Sequence, residues 1–138
     1  MFFGFVGGVS EEANTIELSM EVAHLLHLED EMLVSAQIEY SYEKLPSVEL
    51  DPLTVEDFET IEQNSDEIEE QLLNQVGVFF DRQLFVLFLG PQGTQSVRLM
   101  AKIDTKVNTS SCFFLTESCE LHIAAKSRPR PGFGKAQK

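Results

Sequence analysis

"DPLTVEDFETIEQNSDEIEEQLLNQVGVFF", residues 51–80, decides how the chain is read. It opens on a proline turn, carries nine carboxylates without one base, and closes on an apolar run. Asp51-Pro52 reads as a boundary, because the residue before a proline is pushed out of helical geometry. Thr54 with Asp57 three residues on is a capping-box-like start for a helix over "VEDFETIE", and Asn64 with Glu67 repeats the device for "SDEIEEQLLNQV". In the second helix Ile68, Leu72 and Val76 recur every fourth residue. Asp66, Glu67, Glu69 and Glu70 fill its first turns, where carboxylates meet the positive end of the helix dipole. Gly77 stands where a helix terminator belongs.

Downstream of this stretch the apolar period changes to that of strands: "VFF" at 78–80, "LFVLFL" at 84–89, "SVRLMAKI" at 96–103, "CFFL" at 112–115 and "ELHIA" at 120–124. Gly90-Pro91-Gln92-Gly93 makes a tight connection between two of them. Upstream, "NTIELS" (14–19) alternates like a strand, Ser19 caps a short helix in which Val22, Leu25 and Leu26 share a face, and "MLVSAQI" (32–38) returns as a strand. "SVEL" (47–50) is a further strand candidate. The expected class is α+β, with one unit over 1–50, a second over 51–128 built from two helices and an antiparallel sheet, and a flexible basic tail over 129–138.

A chain of 138 residues with net charge −13 suits one domain or two small lobes. Residues 1–75 hold 19 acids and one base, Lys44, whereas residues 76–138 hold four acids and nine bases. A duplex-binding surface needs a dense basic patch, so nucleic acid is not an expected partner. The opening "MFFGFVGGV" is too short to span a bilayer and lacks the basic start of a signal peptide. Cys112 and Cys119 then read as reduced, packed thiols of a cytosolic chain.

Motifs for chemistry are scarce. His24 and His27 with Glu21 and Glu31 have helical spacing, but a zinc site needs further well-placed ligands, and surface histidines are the simpler reading. "GPQGTQS" lacks the lysine of a phosphate-binding loop, and "GFGKAQK" lacks the glycine spacing, the hydroxyl residue and the following helix. No serine stands in a nucleophile elbow. The expectation is no catalytic, cofactor-binding or metal-binding residue in this chain.

The order of several segments carries a resemblance. "FVGGVSEEANTIELSMEVAHLLHLEDEMLVSAQI", then "VELDPLTVEDFETIE", "LLNQVGVFF" and "ELHIAAKSR", resembles the N-terminal domain of the peroxin-one family, AAA ATPases of peroxisome biogenesis, over residues 5–128. Phe58 stands where the family tends to have tryptophan, and Ala125 where it tends to have proline. The resemblance implies a double-psi β-barrel lobe followed by a smaller α/β lobe, with Leu50, Asp51, Pro52 and Leu53 as the lobe junction. The chain would begin about halfway through the first lobe, leaving a partial barrel.

For function, the resemblance implies a non-catalytic adaptor or substrate-docking region, acting in peroxisomal matrix protein import and receptor recycling. Expected partners are the peroxin-six ATPase and peroxisomal import receptors or adaptors, at the cytosolic face of the peroxisomal membrane. ATP and magnesium belong to the full-length family, not to this chain. An alternative is a module that binds phosphoinositide or other anionic membrane through Lys126, Arg128 and Arg130, since basic side chains near such a surface are each worth about 1 kcal/mol.

Overall fold

The computed structural model describes residues 13–37, 43–104 and 112–127. Its regular elements are helix α1 (Met20–Leu25), strand β1 (Ser47–Pro52), helices α2 (Val55–Gln63) and α3 (Ile68–Gln75), and strands β2 (Val78–Phe79), β3 (Gln83–Leu89), β4 (Gln95–Lys102), β5 (Phe113–Phe114) and β6 (Glu120–Ile123). The class is α+β, as the alternation of helical and strand periods predicts.

Four strands form one sheet in the order β3-β4-β1-β6. β3 and β4 are joined by the Gly90–Gly93 turn and pair antiparallel from Gln83↔Ala101 to Leu89↔Gln95. β1 lies antiparallel to β4 and parallel to β6. The sheet is thus mainly antiparallel with one parallel pair, a pair that needs a long crossover, here supplied by everything between β1 and β6. β2 and β5 make a separate ribbon, and Lys44 bridges to Phe114 on its far side.

Alternation sets the faces. Val48, Leu50, Val97, Leu99, Ala101, Phe85, Leu87 and Leu89 turn inward and join Ile61, Ile68, Leu72, Phe79 and Phe113 in one core. Ile68, Leu72 and Val76 are all buried, as their fourfold spacing requires. Phe79 meets Phe85 edge-to-face at 5.5 Å between ring centroids. Burying one such side chain stabilises the fold by about 1.5–3 kcal/mol.

Three local readings change. The second capping box does not form: α3 begins at Ile68 after Glu67, which makes no side-chain cap. Asn64 is instead the C-cap of α2, its amide donating to Thr60 O and Gln95 Oε1, while Glu67 Oε1 accepts the amide of Gly90 across the fold. Each side chain has a better partner than the one three residues away. "SVEL" grows into a six-residue strand, so β1 runs through Asp51 and Pro52. Restriction before a proline favours extended geometry, which a strand satisfies as well as a boundary does. Pro52 stands beyond Leu50↔Ile123, the last β1–β6 pair, so its missing N–H costs that ladder nothing.

The third change is upstream. Residues 15–19 and 32–37 form no strand, and Ile38 lies outside the described residues. A two-residue period makes a strand only where another strand completes its hydrogen bonds, and none among the described residues does so. No barrel closes among the described residues, and no residue of 13–37 is buried. The helix that Ser19 was expected to cap does form: Ser19 Oγ accepts the Val22 amide at 3.2 Å, and α1 rests against β3.

Candidate functional site

The turn from β1 into α2 is closely bonded. Thr54 caps α2 by accepting the Asp57 amide at 3.1 Å, and its hydroxyl donates to Asp57 Oδ2 at 2.7 Å. Asp57 is 7% exposed. Its Oδ1 accepts the Arg98 amide at 3.2 Å, and the Arg98 guanidinium lies 3.5 Å from Oδ2. Leu53 donates to the Arg98 carbonyl. Both peptide groups of Arg98, next to the end of the β1–β4 ladder, are therefore taken up by the turn. The expected junction residues Leu50, Asp51, Pro52 and Leu53 sit at this strand end, Leu50 and Pro52 in the core.

Asp51 faces the other way. Its carboxylate holds two lysines, Lys102 Nζ 3.2 Å from Oδ2 and Lys126 Nζ 3.5 Å from Oδ1. Lys102 is diagonal to it across the β1–β4 ladder, where Asp51 is opposite Met100 and Glu49 is opposite Lys102. Lys126 arrives just past β6. The contact thus ties three segments together on the outer face of the sheet. Of the three bases expected to contact lipid, Lys126 is placed here; Arg128 and Arg130 lie outside the described residues. Lys102 is absent from that expectation, although the alternation of "SVRLMAKI" puts Arg98 and Lys102 opposite Val97, Leu99 and Ala101.

Cys112 and Cys119 are buried thiols. Burial pushes the Cys119 thiol up from its ordinary value, and the Glu120 and Glu69 carboxylates push it further. A thiol held protonated is a poor nucleophile and a poor metal ligand. His24 lies in the last turn of α1, whereas His27 follows the helix with φ of 57°, so helical spacing does not carry from one to the other. No three metal-ligating side chains gather among the described residues, and no described helix is long and apolar enough to cross a membrane.

Ile16, Leu18, Met20, Met32, Leu33 and Val34 are the large hydrophobic side chains left exposed among the described residues, Leu33 almost completely at 98%. All six come from the segment that holds α1.

The class this defines is an α+β domain with bonded charge networks on a packed sheet. Residues 46–125 match the family model described as Peroxisome biogenesis factor 1, N-terminal, and the chain belongs to that family. It is 28% identical over 139 residues to the Peroxisomal ATPase PEX1 of Komagataella phaffii, aligning 99% of itself with 12% of that protein. With the Peroxisomal ATPase PEX1 of Dictyostelium discoideum it shares 27% over 133 residues, 94% of the chain and 10% of that protein. The chain therefore spans about a tenth of the length of these relatives.

Proposed function

We propose that this chain is a non-catalytic docking region of a peroxisome biogenesis AAA ATPase, binding adaptors or substrates for matrix protein import and receptor recycling. The observation that carries the reading is coincidence of span. The family match over 46–125 falls on the same residues that build the four-stranded sheet, α2, α3 and their core. Such a unit is a rigid platform, and its relatives are named as ATPases roughly ten times its length.

The ATP and magnesium of the family would then act elsewhere in the full protein, with the peroxin-six ATPase and import receptors as partners at the cytosolic face of the peroxisomal membrane. A two-lobe arrangement belongs to the proposal as well. Because β1 is a central strand of the sheet, the passage between lobes is best placed before Ser47 rather than at Leu50–Leu53. The test is a pull-down of peroxisomal receptors and adaptors with the folded chain: recovery of a specific partner supports docking, and recovery of none counts against it.

A second reading, binding to anionic membrane, is favoured by the position of Lys126, held beside Lys102 on one sheet face. Binding to phosphoinositide vesicles at low salt tests it, and absence of binding removes it.

A further inference from the structure

Resting on the docking reading, we propose that the outer edge of β6 is the docking site and that its occupant is an extended peptide, which joins the sheet as a fifth strand. The peptide that fits carries apolar side chains at alternate positions and a lysine or arginine at the end lying over Glu120.

The sheet ends on β3 at one side and on β6 at the other, and the two edges differ. On β3 the Gln75 side chain bonds both the amide and the carbonyl of Phe88, and α1 lies against the strand. Among the described residues nothing bonds the outer side of β6 in that way. β6 is parallel to β1, and the amides of Glu120 and Ala124 donate to the carbonyls of Pro46 and Leu50. Backbone groups alternate in direction along a strand, so Leu121 and Ile123 turn their N–H and C=O away from β1. These two donors and two acceptors form the row that an added strand satisfies.

The side chains state what that strand must carry. Leu121 and Ile123 are half-buried and pack against the core, so an apolar side chain arriving beside them extends the same face. Glu120 and His122 turn to the other face. His122 lies 3.7 Å from the Glu120 carboxylate and leaves it 77% exposed, open to a second cation. The start of β6 is acidic: Glu117 is exposed in the turn before it, and the Glu69 and Glu120 carboxylates both act on Cys119. Lys126 lies past the opposite end and is held by Asp51. A base on the incoming strand therefore finds its partner at the Glu120 end. Antiparallel addition, the more stable pairing, puts that base at the C-terminal end of the peptide.

The experiment uses the whole 138-residue chain. The probe is a short peptide of alternating valine and threonine that ends in two lysines; one control ends in two glutamates, and another is N-methylated along its pairing edge. At saturating lysine probe, exchange of the Leu121 and Ile123 amides should slow several-fold, with that of the Phe88 amide unchanged. The N-methylated peptide should not produce this protection. Glu120→Lys should weaken binding of the lysine probe several-fold and strengthen that of the glutamate control. Leu121→Pro removes an outward donor while leaving the bonds to β1 in place, and should lose the probe. Circular dichroism melts confirm folding, and Glu120→Lys carries the test if Leu121→Pro does not fold.

Unchanged exchange at Leu121 and Ile123, or equal binding of the N-methylated peptide, overturns the proposal. So does protection of these amides in the free chain: if independent of concentration, the chain covers its own edge, and if it grows with concentration, a second copy does. The pull-down is repeated with both variants. Equal recovery of a partner by the wild-type chain, Leu121→Pro and Glu120→Lys leaves docking standing and moves it away from β6. If the wild-type chain recovers no partner, the docking reading fails and takes the proposal with it.

Discussion

Residues 13–37 and residues 43–127 carry similar apolar patterns and meet different fates. In the second region alternation produces strands, because β1, β3, β4 and β6 each find a neighbour and turn one face onto a shared core. In the first, "NTIELS" and "MLVSAQ" alternate as well, yet they stay irregular and leave Ile16, Leu18, Leu33 and Val34 exposed. A two-residue period describes which way side chains will point if a strand forms. Whether it forms depends on a partner for the backbone.

Substitutions sharpen this contrast, beginning with the core. Leu72→Ala, at a position with no exposure, should cost about 2–5 kcal/mol in denaturant unfolding. Leu33→Ser should stay within about 0.5 kcal/mol and reduce light scattering, since it removes exposed apolar surface. A large cost at Leu33 would break the comparison, showing that the segment shares the cooperative core. Asp57→Ala should cost about 2–3 kcal/mol, because it deletes a helix cap contact and strands the Arg98 amide. Recovery of most of that loss by Asp57→Asn would identify hydrogen bonding rather than charge as the main contribution.

Smaller effects are expected at the edges. Gln75→Ala should cost about 1–2 kcal/mol and speed exchange of the Phe88 amide, which hydrogen-exchange spectroscopy reads directly. Ser19→Ala removes the cap of a six-residue helix and should cost at most about 1 kcal/mol, with the loss confined to α1. The smallest is a pH effect. Because burial raises the Cys119 thiol, the unfolded chain ionises first on the alkaline side. Its contribution to stability is intact below the ordinary thiol range and is lost as pH climbs through the folded value. A Cys119→Ala variant should flatten that alkaline decline in unfolding curves.

Much of the second region was legible in the sequence because several signals agreed there. Thr54, the Ile68–Leu72–Val76 spacing, Gly77 with φ of 73° and the Gly90–Gly93 turn all act through near neighbours, and all appear as expected. Glu67 misled because its partner, Gly90, is distant in sequence, and Asn64 because its amide turns back to Thr60 O and across to the distant Gln95. Lys102 escaped notice for the same reason: its importance lies in Asp51, on another strand. Lys126 was singled out as a basic side chain, but its partner could not be read from the sequence. Local rules capture local bonds, and the charge network of this sheet is built almost wholly from remote ones.

The side-chain amide of Gln75 imitates a neighbouring strand. Its nitrogen donates to the Phe88 carbonyl and its oxygen accepts the Phe88 amide, both at 2.8 Å, on the outermost strand of the sheet. In polymer language it is a chain terminator. An extended segment pairing along that edge would have to break both bonds to reach Phe88, so one residue of a helix blocks this position of the β3 edge.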